Sequence, residues 1–506
     1  MPAGCQRSTR SVQSTAMKGL AIYGTLLILA IILSSACYVF GLWQRVPQTS
    51  YTGIRPMNAT DYNVNLSWIE QSRSGKILLR NPFDSLESKG FLIRPLYFVL
   101  SYPFAITSWS NTGVLHIIRL FCGVILLLAL IRQIKVFEEN SRTVFVTFLL
   151  LLFTSGAGVG VRRWLPGSID LNIPEGNLFL TLGETPHFLY SLFLLWSAIA
   201  GFYAAANGKR TLWIPIIALA LLWWEHPFDV VILGVVTGIN IWQLKQSQRI
   251  RYAIGVILVS VPAVLYYHHI RNLPSFRGWE AQNIMLSPSF LSFLSGFAPL
   301  ILCSIPTIVQ IRQDSRRLIF LWSWIVAQFL LVHAPVDFQR RLIFGVEFPL
   351  ALLAAMAIQK WKWPLIAGFI LIASMTNVYV MSNQIREIST RRMPYYLPDS
   401  YQKAFHALEQ KPDEGAVVSG YITGNFIPGY TGHPVYLGHS LLTPQIASRK
   451  KEASEFFANP TREFLLNNKI RYVFCGLEEH CPQQLPADWT SIYTGSAIAV
   501  FQVNTK

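Results

Sequence analysis

The chain is poor in charge and poorest in acid. Only 13% of its 506 residues are Asp, Glu, Lys or Arg, and 26 acids face 42 bases. Ordinary soluble domains carry about 25% charged residues, so a soluble globular enzyme of this length is excluded, and so is an acidic disordered segment. Cysteine is also sparse, with six residues and no paired Cys-x-x-Cys, which excludes a disulfide scaffold and the usual zinc ribbons. There is no Gly-x-x-x-x-Gly-Lys-Ser/Thr loop, no Gly-x-Gly-x-x-Gly turn and no His-Glu-x-x-His helix, so the common nucleotide, dinucleotide and zinc-protease chemistries have no foothold.

What the chain does have is long apolar runs. Apolar residues make up 52% of the sequence and mean hydropathy is positive. A run of about 20 such residues spans a bilayer core as a helix. Eleven runs fit that description: 19–43, 112–133, 143–158, 186–207, 211–226, 227–246, 250–270, 288–311, 317–335, 341–358 and 363–382. Lys and Arg mark the cytoplasmic ends of spans. Behind a tail (1–18) with Arg7, Arg10 and Lys18, the basic loops fall in step: Arg132, Lys135 and Arg142; Lys209 and Arg210; Lys245, Arg249 and Arg251; Arg312, Arg316 and Arg317; Lys360 and Lys362. The spacing predicts a multi-pass α-helical membrane protein with its amino terminus inside and its carboxyl terminus outside. No small-residue cleavage site followed by a soluble domain points to a removed signal peptide. The net charge of +16 is scattered over these loops and forms no single patch, which argues for anionic lipid and against nucleic acid as the partner.

Sidedness puts the remaining polar residues on the outer face. The first outer loop, 44–111, is too long for a connector and is rich in charge; long ordered loops are usually functional. Within it, Asp61–Gly75 matches a short interfacial amphipathic helix, and a second runs from Phe91 to Ile106, limited by Pro95 and Pro103. Glu184 and His187 open one span. Glu225, His226 and Asp229 sit at a turn between two, His268, His269 and Arg271 close another, and His333, Asp337, Arg340 and Arg341 close a fourth. Ionisable groups at membrane depth are costly and line polar cavities or pair with one another. Singly each histidine reads as a satisfied interfacial side chain; together they imply an outward-facing polar cavity. Arg340 and Arg341 read equally as a phosphate clamp, because guanidinium offers a planar fork of donors, or as headgroup contacts.

After about residue 383 the composition becomes mixed. The pattern predicts a small outer α/β domain, 383–506: helices at Ser400–Leu408, Ala447–Phe457 and Thr461–Asn467, strands at Ala416–Ser419, Tyr472–Cys475 and Ala497–Val503, and a Gly-rich loop from Gly424 to His439. That loop covers an active site or is a tight structural turn. Cys475 and Cys481 lie six residues apart where a disulfide is permitted.

The order of features in the first 135 residues is similar to a known family. A first span is followed by an acid in the context Ala59-Thr60-Asp61-Tyr62-Asn63, a helix ending in Ser74-Gly75, the segment Arg94-Pro95-Leu96-Tyr97, and Ile117-Ile118-Arg119-Leu120 entering the second span. This resembles the GT-C superfamily of membrane glycosyltransferases, of the protein mannosyltransferase and aminoarabinose transferase type. The resemblance implies transfer of a sugar from a polyprenyl-phosphate carrier to a glycan, lipid or protein acceptor on the outer face. Asp61 would be the general base, and Arg340, Arg341 and Arg94 would hold the donor phosphate. Glu184, His187, Glu225, His226, His268, His269 and Asp337 are the candidates to line the cavity. Many relatives carry a second acid after the first, where this chain has Tyr62, and a Pro-Pro pair where it has Pro95-Leu96, so the acceptor class stays open. Members differ on a divalent metal; Asp61, Glu184 and Glu225 have no ligand spacing, and the sequence indicates none. The long outer segment suits a bacterial inner membrane. The competing reading is a transporter or flippase for a lipid-linked or polar substrate, which would favour internal repeats and helices broken at the midplane; neither is evident. A lipid-linked polymer ligase would place its large loop late in the bundle.

Overall fold

The computed structural model describes residues 21–44, 46–86, 89–273, 282–411, 415–479, 486, 488–495 and 497–503. The amino-terminal tail 1–18 lies outside them.

A helix stands in each of the eleven expected runs, but their lengths differ. Five are long and apolar enough to cross a bilayer: Asn111–Phe137, Pro186–Ala206, Gln246–Arg271, Phe290–Arg312 and Gln339–Ile358. Two bent pairs, Ala21–Ser34 with Ala36–Trp43 (56°) and Trp363–Ala373 with Met375–Ile388 (41°), bring the number to seven if each is one span. Ser141–Phe153, Trp213–Glu225 and Pro227–Ile239 have 13 residues each and Ser315–Leu331 has 17. At about 1.5 Å per residue, 13 residues reach about 20 Å, short of the roughly 30 Å hydrocarbon core. The expected 211–226 and 227–246 runs are shortened by their ends: Pro227 starts a helix and His226 ends the one before.

The basic loops gather at one end of the bundle. Arg317 pairs with Glu138 at 3.0 Å, Lys209 with Glu139 at 2.8 Å, and Arg142 reaches the Trp361 carbonyl. Asp61, Arg94, Glu184, His187, Glu225 and Arg341 belong to the other end, where the first outer loop and the carboxyl-terminal segment meet.

That meeting is the part of the fold that positions the site. Strand β1 (Thr49–Tyr51), in the first loop, pairs antiparallel with β2 (Tyr396–Pro398), at the start of the carboxyl-terminal segment. The segment then builds a four-stranded sheet from β3 (Ala416–Val418), β4 (Ile470–Cys475), β5 (Trp489–Thr494) and β6 (Ala499–Val503), in the order β3-β4-β6-β5 with β3 and β4 parallel. Along β4 the side chains alternate between two cores: Tyr472 and Phe474 join the large core continuous with the bundle, while Val473 and Cys475 pack under the Ile446–Ala458 helix with Phe456 and Phe457. Strand β5 is absent from the sequence reading because its half-exposed, edge-strand pattern carries no apolar run. Cys475 is buried and disulfide-bonded; Cys481, its expected partner, lies outside the described residues. Cys37, Cys122 and Cys303 are free thiols in the bundle.

The expected Gly-rich loop is corrected. Tyr421–Thr431 is a helix, ended by Gly432 at φ +74°, and only the residues after it run extended. Its glycines and Pro428 give it low intrinsic propensity, so packing imposes the helix. It lies against the Ala59–Arg73 helix, where a Cβ on Gly429 would stand 2.8 Å from the Leu66 Cβ. Close approach needs glycine there. The Ala59–Arg73 helix is accordingly no interfacial helix with one wet face: Asn63, Asn65, Ser67, Gln71 and Ser72 are all buried.

The second juxtamembrane helix is also shorter than expected, Pro95–Ser101 followed by a 3₁₀ turn, Tyr102–Ile106, started by Pro103. Before it, Arg94 has φ +47°, a left-handed backbone that non-glycine residues adopt at a cost of roughly 1–3 kcal/mol. Its N–H is held by the Trp224 carbonyl at 2.9 Å.

Candidate active site

Asp61 stands in the first turn of the Ala59–Arg73 helix, where the helix dipole favours a carboxylate. Its side chain is 50% exposed, against nearly complete burial of the residues that follow. One oxygen, Oδ1, lies 2.9 Å from Nε2 of His439, which is itself only 2% exposed. Burial pushes the Asp61 carboxyl up, but the His439 hydrogen bond, with the charges of Arg341 and Arg94, outweighs it and holds the group below the ordinary carboxylate range.

The arginines approach from two sides. Arg94 lies over the Trp68 ring at 4.5 Å and reaches Asn65 Oδ1 and His187 Nδ1, each at 3.4 Å. Arg341 lies over the Phe228 ring at 4.3 Å and reaches Asn283 Oδ1 at 3.4 Å. The expected Arg340–Arg341 fork is split: Arg340 turns to Glu175 at 3.8 Å and to the Met285 sulfur at 3.0 Å. Consecutive residues of a 3₁₀ turn point in different directions, and Arg341 is the one whose charge reaches Asp61.

Behind Arg94 the polar groups are linked. Tyr97 donates to Asn65 Oδ1 at 2.5 Å and lies 3.2 Å from His187 Nδ1, while Asn65 donates to the Asp61 carbonyl at 2.7 Å. Glu225 Oε1 accepts the Leu96 N–H at 2.7 Å, fixing the start of the second juxtamembrane helix. His226 pairs with Asp229 at 2.8 Å.

Other expected site residues are elsewhere or occupied. Glu184 is sealed against Arg55 at 2.9 Å, with 3% and 1% of the two side chains exposed, and also accepts from Asn58. His268 and His269 are exposed on the last turn of the Gln246–Arg271 helix, and Asp337 is exposed ahead of Arg340. Among the described residues none of these three side chains bonds to the cluster around Asp61: His268 and His269 lie on the exposed side of their helix, and Asp337 lies in an exposed turn. Among the described residues no three His, Cys, Asp or Glu side chains converge to hold a metal ion. Glu184 and Glu225, the carboxylates named with Asp61, are each engaged by a different partner.

Sequence reasoning missed His439, Asn65, Glu175 and Arg55 as members of this end of the molecule. Asn65 sits one helical turn after Asp61, a signal that was available; His439 carries none beyond its place in a Gly-rich stretch. A separate cleft of about 320 Å³ opens beyond the other end of the Ala59–Arg73 helix, between Glu70, Trp109 and Tyr430. Its polar groups are satisfied by their neighbours, Glu70 by Asn111 at 2.6 Å and Arg73 by the Trp109 carbonyl at 2.8 Å.

No family model matches the sequence, and no curated protein matches it. Solved structures do. ArnT from Cupriavidus metallidurans, at 12% identity, superposes with a TM-score of 0.56 in its apo state, over 97% of this chain and 99% of that one. The same protein bound to undecaprenyl phosphate superposes at 0.55 over 96% and 98%. The oligosaccharyltransferase from Archaeoglobus fulgidus, in complex with Zn and sulfate, superposes at 0.50 with 13% identity, over 90% of this chain and 68% of that one. The chain therefore shares its fold with ArnT and with the Archaeoglobus oligosaccharyltransferase.

Proposed function

We propose that this protein is a membrane glycosyltransferase that moves a sugar from a polyprenyl-phosphate carrier to an acceptor. In this reading eleven helices, several of them short and packed inside the bundle, form the membrane domain, and residues 383–506 form an outer domain. The site faces the extracytoplasmic side of a bacterial inner membrane, because the opposite end carries the basic loops.

One observation carries the proposal: a half-exposed carboxylate, held in a fixed orientation and flanked by two guanidinium groups, sits where the first outer loop meets the carboxyl-terminal segment. Inversion at an anomeric carbon needs one base for the acceptor hydroxyl. The leaving group, a lipid phosphate, needs cations more than an acid. Asp61 takes the acceptor proton as the acceptor oxygen bonds the anomeric carbon; the bond from that carbon to the phosphate oxygen breaks, and its electron pair leaves with the lipid. Arg341 and Arg94, with Arg340 nearby, receive the phosphate. The undecaprenyl phosphate bound in the Cupriavidus structure supports a polyprenyl phosphate as the carrier.

The test is Asp61→Asn, which keeps shape and removes the base. General-base removal costs about 10²–10⁴-fold, so transfer should fall by that factor while the melting temperature and undecaprenyl phosphate binding stay near wild type. Transfer at the wild-type rate would take Asp61 out of the mechanism. A release of undecaprenyl phosphate from a panel of undecaprenyl-phosphate-linked sugars identifies the sugar.

A further inference from the structure

Asp61 and His439 are separated by 378 residues and meet at 2.9 Å. The histidine ring is locked on its other side: Nδ1 accepts the Leu441 N–H at 3.2 Å. A ring nitrogen that accepts carries no proton, so Nε2 is the protonated nitrogen and donates to Asp61 Oδ1. The backbone of the histidine is fixed as well, because Thr443 Oγ1 accepts the N–H groups of Gly438 and His439 at 3.1 Å each, and the Thr443 N–H returns to the His439 carbonyl at 2.9 Å. Phe83 packs against the ring, with centroids 5.5 Å apart.

This geometry rules out a relay. Nε2 already holds a proton and Nδ1 is occupied by a backbone donor, so His439 has no free site to take the proton that Asp61 accepts. What it does is fix one carboxylate oxygen and leave half of the side chain exposed. A neutral donor suits that task, because a charged donor bonds roughly twice as strongly and would weaken the base further.

The segment that carries His439 is itself bolted to the first loop. Asn63 donates to Asn425 at 2.5 Å, Arg449 pairs with Asp84 at 2.8 Å, Asn81 donates to the Leu442 carbonyl at 2.8 Å, and Gly429 abuts Leu66. Resting on the role proposed for Asp61, we propose that His439 is its positioning residue, and that the active site is complete only when the carboxyl-terminal segment is docked on the Ala59–Arg73 helix.

Three variants of the full-length chain test this: His439→Leu, His439→Gln, whose amide N–H can stand near the place of Nε2, and His439→Asn, whose amide is too short to reach. The activity probe is an undecaprenyl-phosphate-linked sugar, read as release of undecaprenyl phosphate. A misplaced catalytic group costs on the order of 10²-fold, so His439→Leu and His439→Asn should lose that factor in kcat with KM for the donor unchanged, and His439→Gln should recover most of it. A second readout needs no substrate: carbodiimide labelling of Asp61 against pH, quantified by peptide mass spectrometry. Asp61 faces His439, Arg341 and Arg94. Loss of the His439 donor should move half-labelling to higher pH in the Leu and Asn variants, and the Gln variant should label like wild type.

Full activity in His439→Leu, or equal loss in Gln and Asn with unchanged labelling, overturns the inference. If His439→Leu does not fold, the Gln and Asn pair decides. An active Asp61→Asn would remove the catalytic reading instead, while the labelling curve would still judge the contact between the two residues.

Discussion

Two acids near the first outer loop have opposite fates. Glu184 faces Arg55 in a contact that excludes water, with 3% and 1% of the side chains exposed. Asp61 faces His439, equally hidden, but keeps half of its own surface open. The first pair is enclosed: Arg55 also donates to Gln384 Oε1 and the Leu180 carbonyl, Glu184 accepts from Asn58, and in this contact only Nη2 of Arg55 is without a hydrogen-bond partner among the described residues. The second leaves one carboxylate oxygen without a bond to the protein among the described residues. A sealed ion pair fixes structure, and a half-exposed carboxylate keeps lone pairs free for chemistry.

The difference can be broken from either side. The largest effect on activity is expected from Asp61→Asn, the assay given above, with stability barely moved. Arg55→Met should do the reverse. Removing one partner of a buried pair leaves an uncompensated charge and costs about 3–5 kcal/mol, so thermal unfolding of the purified chain should shift sharply downward. A variant that melts like wild type would show that water reaches Glu184. Next in size is Arg341→Glu. Hydrogen bonds to charged groups contribute about 1.5–3 kcal/mol, so affinity for undecaprenyl phosphate should fall about 10- to 100-fold, measured by binding to detergent-solubilised protein. Unchanged affinity would assign Arg341 to its stack on Phe228. Gly429→Leu tests whether Asp61 depends on the contact between the two helices. Overpacking costs about 1–3 kcal/mol, and activity should fall together with stability because Leu66 and the helix carrying Asp61 are pushed aside. The smallest effect is expected at the basic end. Lys209→Ala breaks an exposed pair with Glu139, whose carboxyl is held down by the Lys209 hydrogen bond, and exposed pairs contribute little; no change in melting temperature is expected, and a large one would make that loop a structural joint.

The bundle was legible because apolar runs and basic loops are local signals. Eleven runs correspond to helices, but run length overstated four of them, since an apolar stretch includes the turn residues that end its helix. Asp61 was legible through its neighbours in the chain, Ala59-Thr60-Asp61-Tyr62-Asn63. The burial of the helix it starts was not, because the Tyr421–Thr431 helix that covers it lies more than 300 positions later, as the Asn63 to Asn425 bond shows. The Tyr421–Thr431 helix was hidden by its own Gly424, Pro428 and Gly429, which read as a loop until a facing helix demands small residues. His439 has no local signature at all. Its meaning lies in the Nδ1 bond to Leu441 and the Nε2 bond to Asp61, and only the first is near in sequence.

The pairing of β1 with β2 joins residues 49–51 to 396–398, and the His439 that bonds the Asp61 carboxylate comes after it in the chain. During synthesis the membrane helices and the first outer loop are therefore made and inserted while Asp61 still lacks its partner. A chain interrupted before Gly438 would have an Asp61 carboxylate without its His439 donor. If His439 positions Asp61 as proposed, transfer would begin only after translation has passed the last element that the site requires.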